Sequence, residues 1–312
     1  MPFEVCGAAD EGTRYTQKVT AQTPEHARSG IRMEDSFGAW RAGTRTVVAV
    51  ADGHGSVEVA DGVHWGGREA ADATLAAVGA TVDRGLEEMF AAAQAAVEAL
   101  RHGHHHRRED GALLVANRSQ QWQLSTHGTT LSVAILDDTD GSLQVGFAGD
   151  SAVLMVGPNG EAQALAPPHD TRNVNEVARM RAAGAMKMKR HFDVKIGTDG
   201  YLLAVSRAIG HLGSAMVSHE PEIFDVAPGW ASLVLATDGV WDHVTKGDAA
   251  ALVAQAPGTQ QAADALLAAA VRNGSTKRTR DNASAVVVRP FAAAAAGDRD
   301  AARPAGGCCT VM

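Results

Sequence analysis

Cysteine is scarce and poorly placed to staple a core. The three in the chain, Cys6, Cys308 and Cys309, sit at its two ends, which reads as a protein of a reducing compartment. Long hydrophobic runs are missing: no stretch of 18 apolar residues is available to span a bilayer. The opening MPFEVCGAADEG has neither the basic start nor the apolar segment of a secretory signal, so the expected location is cytoplasmic. An excess of basic charge is absent as well. With a formal net charge of −8, the chain offers no general basis for binding nucleic acid. What it does have is 45% hydrophobic and 21% charged residues over 312 positions, enough for one large globular core.

Strand signals recur along the sequence. Ser36 to Trp40 and Thr46 to Ala51 are joined by RAGTR, whose Gly43 suits a hairpin turn. Thr129 to Leu136 and Leu143 to Ala148 flank the turn sequence DDTDGS, and AVLMVGPNGEAQAL forms a further hairpin about Pro158 to Gly160. SLVLAT and ASAVVVRP complete the set, and an edge strand has room in the first 28 residues. Helical spacing appears in Leu86, Met89, Phe90, Val97 and Leu100 with Asp83 as cap, in Asn173 to Gly184, and in Ala-rich residues 248 to 272. Ser56 is placed to cap a helix reaching about Val78. RHGHHHRREDG reads as a solvated loop despite its four histidines, and MKMKRHFDVKIGTDG as an irregular basic surface segment. Hairpin-linked strands with helices in pairs predict an α+β fold of two antiparallel sheets packed face to face, with helices outside. Residues 1–28 form an N-terminal extension, 29–290 the folded domain, and 291–312 a low-complexity, disordered tail.

Several apolar runs end on an aspartate followed by a small residue: VVAVADG delivers Asp52, LQVGFAGDS delivers Asp150, and ASLVLATDG delivers Asp238. Asp281 is the mirror case, just ahead of a strand. A hairpin centred on Gly43 sets Glu34 and Asp35 opposite Asp52. So many like charges at strand ends raise one another's pKa unless cations lie between them, and an all-oxygen donor set selects Mg²⁺ or Mn²⁺ rather than zinc. Gly53 lacks a side chain, so its carbonyl is free to face an ion. Two such ions, about 3.5–4 Å apart and bridged by a carboxylate, make a water into hydroxide near neutrality, the reagent for in-line attack on phosphorus. His54, two residues from Asp52, is then positioned to protonate a leaving alkoxide.

Read in order, MEDSF, VADGHGS, HGTTLSVAIL, GFAGDS, LAVSRAIG, LATDGVWD and RDNASAVVV resemble the metal-dependent protein phosphatases of type 2C over residues 29 to 289. The resemblance implies an αββα sandwich, two Mg²⁺ or Mn²⁺ ions, and hydrolysis of phosphoserine or phosphothreonine in protein substrates. It implies that Asp52 bridges the ions, that the Gly53 carbonyl binds the first, and that Glu34, Asp238 and Asp281 bind the second. Asp35 would orient a water, while Asp150 and Asp238 would hold a third ion. Three positions depart from the family pattern: Gly30 stands where a phosphate-gripping arginine is usual, Ala152 replaces the arginine after GDS, and His211 replaces an aspartate in SRAIGH. Arg28 or Arg32 is the substitute for the missing phosphate ligand. The alternative is a pseudophosphatase, the same fold serving as a phosphoprotein-binding module.

The terminal CCTVM fits a C-a-a-X pattern, with Cys309 prenylated and Cys308 a neighbouring site for a second lipid. Membrane contact is expected only through such an anchor, and the chain is expected to be a monomer.

Overall fold

The run VVAVA is apolar at every position because both faces of its strand are covered. It lies in Arg45–His54, here β3, which pairs antiparallel with Asp35–Ala42, here β2. Along β3 the side chains alternate: Val47, Ala49 and Ala51 pack against the helices Gly67–Ala80 and Leu86–Ala99, whereas Val48 and Val50 face a second sheet. This doubly buried strand is the centre of the computed structural model, which describes residues 3–10, 33–60, 63–101, 105–275 and 281–290.

Two sheets form the middle of the molecule. One runs Ile209–Gly210, Gly128–Thr129, β3, Leu131–Asp137, Leu143–Ala148 and Glu222–Val226, with β2 also paired to β3. The other runs Phe3–Asp10 (β1), Ala283–Pro290, Ser232–Ala236, Val153–Val156 and Ala162–Ala164. Between them Val48, Val50, Leu136 and Val145 meet Val5, Leu233, Leu235 and Val286. The outer face of the second sheet packs on the helices Lys246–Gln255 and Thr259–Gly274, largely through alanine, which lets helix and sheet approach closely. The architecture is the expected αββα sandwich, and the edge strand anticipated near the N-terminus is β1.

Several local expectations are corrected. Ser56 does not begin a helix: Val57–Ala60 and Val63–Trp65 form a hairpin, and the helix starts at Gly67 behind Gly66. Ser56 nevertheless serves that helix from eleven residues away, its hydroxyl accepting from the Gly67 N–H at 2.9 Å. Gly85, not Asp83, precedes the next helix, because Thr81–Arg84 first complete a turn. The His-rich segment is not all loop, since His105–Arg107 pairs with Leu113–Ala116. The basic stretch after Gly184 is ordered into a three-stranded sheet, Met186–Met188, His191–Ile196 and Asp199–Leu203. Phe192, Val194 and Leu203 turn inward there to a small core with Met180, an alternation masked by the charges between them. Cys6 is buried on β1. The pairing of β1 with Ala283–Pro290 brings chain ends together that sequence distance had kept apart. Among the described residues no helix is long and apolar enough to cross a membrane.

Leu136 is fully buried between the sheets, so Leu136→Ala should cost about 2–5 kcal/mol in urea unfolding with an unchanged m-value. Leu202→Ala, at an exposed position, should stay within about 0.5 kcal/mol of the parent.

Candidate active site

Asp35 and Asp52 are direct partners across β2 and β3. The break that presents Asp52 is visible in its hydrogen bonds. Its carbonyl accepts from the Thr130 N–H at 2.9 Å, but its own N–H donates to the Thr130 hydroxyl at 3.1 Å instead of continuing the ladder. At Thr130 the neighbouring strand divides into Gly128–Thr129 and Leu131–Asp137. Gly53 follows where two backbones cross, and a Cβ there would lie 2.2 Å from the Gly67 carbonyl oxygen and 2.8 Å from that of Glu34. Glu34 is buried and pinned on both sides, its N–H donating to Asn282 Oδ1 at 2.8 Å and its carbonyl accepting from Gly53 at 3.2 Å. The Ser56 hydroxyl donates to its carboxylate.

From the other strands come Asp150, directly after Leu143–Ala148 and Gly149, Asp238, at the start of the short helix Asp238–Trp241, and Asp281, two residues before Ala283–Pro290. Gly239 repeats the device of Gly53, since a Cβ would meet the Asn282 carbonyl oxygen at 1.8 Å. The charges converge. Asp52 is held well above the usual carboxylate range by burial first, then by Asp35, Asp238, Asp281 and Asp150. Burial likewise raises Asp150, with Asp238 and Asp170 adding to it and Arg172 opposing. Asp35 is pushed up to about 7 by burial, although the Thr237 hydroxyl donates to its Oδ2 at 2.8 Å. Its Oδ1 is buried and makes no hydrogen bond of ordinary geometry.

Next to the carboxylates is a chain of rings that sequence reading did not assemble. His54 Nε2 lies 2.7 Å from His211 Nε2, and His211 Nδ1 lies 2.8 Å from the Tyr201 hydroxyl. The rings are stacked, with centroids 5.0 and 5.7 Å apart. Burial, then His54 and His127, hold His211 well below its ordinary pKa and hence neutral. Lys246 was also missed: its ammonium sits 3.0 Å over the Trp241 ring, pushed down to about 7 by burial and by Arg172. His211 carried a signal as a departure from the family motif, whereas Lys246 carried none.

His169, Glu176 and Glu222 form a separate group with ligand atoms within 4.8 Å of one another, a spacing that no trio of the strand-end aspartates reaches among the described residues. It is an ion-pair node rather than a cation site. Glu176 accepts from Arg207, Arg179 and the Ser206 hydroxyl, and although burial opposes it, those donors hold it down at about 2. Arg28, Arg32, Cys308 and Cys309 lie outside the described residues.

The strand-end residues fit divalent cations by chemistry: donors are oxygens only, one buried carboxylate oxygen of Asp35 lacks a partner, and the charges are mutually repelling and desolvated. The sign of the resulting pH dependence follows from the raised values. A carboxylate whose folded pKa exceeds its unfolded one favours folding most at low pH, and that contribution is lost as pH rises. For Asp35 the window runs from 3.8 to about 7. Buried His127, His169 and His211, held below their ordinary pKa, pull stability the other way over the same range, so the readout is the gain in melting temperature that added Mn²⁺ gives over EDTA, which should grow from pH 4 to pH 7. Calorimetry across that range with equal Mn²⁺ effects at both ends would contradict the convergence of these charges.

The family model for Protein phosphatase 2C matches residues 31–279. A "Probable protein phosphatase 2C 59" of Oryza sativa subsp. japonica is 38% identical over 168 residues, covering 52% of this chain and 47% of that protein. Another of that name, from Arabidopsis thaliana, is 34% identical over 186 residues, covering 58% of this chain and 55% of its own. The chain thus spans about half the length of these curated relatives. Among solved structures, the serine-threonine phosphatase 2C from Toxoplasma gondii superposes with a TM-score of 0.63 at 20% identity, covering 92% of this chain and 94% of that one. The serine/threonine phosphatase of Mycobacterium tuberculosis gives 0.56 at 20% identity, covering 93% and 99%. With four layers, acidic strand ends and a model match over most of its length, the chain belongs to the protein phosphatase 2C family.

Proposed function

We propose that this chain is a Mg²⁺- or Mn²⁺-dependent phosphatase acting on phosphoserine and phosphothreonine in proteins. The observation that carries the reading is the convergence of Asp35, Asp52, Asp150, Asp238 and Asp281 at one end of the sandwich of a type 2C chain. Asp52 and the Gly53 carbonyl would hold one ion, Glu34, Asp238 and Asp281 with Asp52 the second, and Asp150 with Asp238 a third. Such ions supply Lewis acidity towards phosphoryl oxygens and a nucleophilic water near neutral pH. Asp35, with one buried carboxylate oxygen lacking a partner, is suited to orient that water. Arg28 and Arg32 remain the proposed grips for the phosphate.

The chain's own proton chemistry centres on His54. When His54 carries two protons, its Nε2 donates to His211 Nε2, and the single proton of neutral His211 then sits on Nδ1 and donates to the Tyr201 oxygen. With its ring held in this way, His54 would be the donor to the departing serine or threonine oxygen. His211, in place of the usual aspartate, is thus a positioning residue that fixes the ring of the acid without adding charge. The intact carboxylate set favours turnover over a binding-only module.

Hydrolysis of p-nitrophenyl phosphate with added Mn²⁺ should be lost in Asp52→Ala and Asp238→Ala, and retention of activity in either would sink the phosphatase reading. His54→Ala and His211→Ala should lower kcat on a phosphoserine peptide by about 10²-fold, the usual contribution of a positioned acid, while sparing the aryl ester, whose phenolate leaves without a proton. Equal losses on both substrates would make His211 merely structural.

A further inference from the structure

Close to the acidic end lies a groove of opposite charge. It has a volume of about 460 Å³ and runs between the exposed face of the helix Val174–Ala182 and the turn joining Met186–Met188 to His191–Ile196. Arg172, Arg181, Lys187, Lys189 and Arg190 line it, with Val174 exposed in its wall. The helix contributes Val174, Val177, Ala178 and Arg181, one stripe at i, i+3, i+4 and i+7, while Glu176 and Met180 point inward.

Local composition concentrates the charge. Between Glu176 and Asp193 there are five Lys or Arg residues and no acid, within a chain whose formal net charge is −8. Neighbouring cations are spoken for: Arg179 and Arg207 pair with Glu176, and Lys195 with Asp193. Arg181, Lys189 and Arg190 have no carboxylate partner among the described residues, so their charge is directed at solvent or at a ligand. Lys187 is held across the groove by donating to the Thr171 carbonyl at 2.7 Å. Arg172 joins the two regions: it lines the groove and pairs with Asp170, next to His169, whose N–H donates at 2.9 Å to the carbonyl of Gly149, the residue before Asp150.

We propose that this groove binds an acidic stretch of the phosphoprotein substrate flanking the residue to be dephosphorylated. The inference rests on the phosphatase reading for the position of the phosphate, and on charge complementarity for the rest. A chain entering the site with its phosphate at the carboxylate end meets Arg172 first, then the free cations, so acidic side chains near the phosphoresidue are attracted where neutral ones gain nothing. A cleft between a helix face and a hairpin turn suits an extended peptide better than a lipid surface, which a convex basic face would serve.

The test compares a phosphoserine peptide flanked by glutamates with one flanked by glutamines, in the parent and in Arg181→Glu/Lys189→Glu/Arg190→Glu. The parent should favour the glutamate peptide by about tenfold in kcat/KM at low ionic strength, and the preference should shrink at high salt. The triple variant should lose it, through KM rather than kcat, while p-nitrophenyl phosphate, too small to reach the groove, is turned over as before. Fluorescence anisotropy with the unphosphorylated glutamate peptide reads the groove without any turnover. Binding by the parent and not by the variant supports the proposal even if no substrate is hydrolysed, an outcome that would overturn the phosphatase reading alone. No binding, an unchanged preference in the variant, or selective binding of phosphatidylserine vesicles in place of peptide overturns the groove's role.

Discussion

Repulsion between desolvated carboxylates governs this molecule. Five aspartates from separate strands meet at one end of the sandwich, and for Asp35, Asp52 and Asp150 burial and the neighbouring carboxylates together oppose the charged form. A fold optimised only for stability would spread them. Their collection is tolerable because the rest of the structure is a tightly layered apolar sandwich, whose interior valines, leucines and alanines oppose the strain at the rim.

Rigidity at that rim comes from the backbone. Gly53 and Gly239 each follow a rim aspartate, and at each the chain passes so close to another main chain that no side chain fits. Asn282 ties the segment containing Glu34 to the far sheet, while Ser56 links Glu34 with the first helix. The acidic residues are therefore held by crossings between elements. Small movements of either sheet would be felt at the site.

How much of this was legible beforehand depended on the range of the interaction. Apolar runs ending in Asp52, Asp150 and Asp238 announced the strands and the candidate site at their ends, because strand burial and strand termination are local properties of the chain. The β2–β3 hairpin was legible for the same reason, and Asp35 opposite Asp52 follows from its register. Ser56 misled, since a good capping residue says nothing about whether the next residues turn back into a hairpin. The basic segment after Gly184 misled as well: its inward residues, Phe192, Val194 and Leu203, are buried by a helix and loops distant in sequence. Asp83 offered a capping side chain two residues too early, because Thr81 to Arg84 first complete a turn.

By itself the sequence determined the central strands, the sandwich they build and the candidate acidic residues at its rim, since alternation, turn chemistry and strand ends are written within short windows. Only the tertiary structure decided which side chains act on one another. The stacking of His54, His211 and Tyr201, the placing of Lys246 over Trp241, and the pairing of Arg207 with Glu176 join residues from different elements. Such contacts depend on how layers pack in three dimensions, and no period along the chain encodes that.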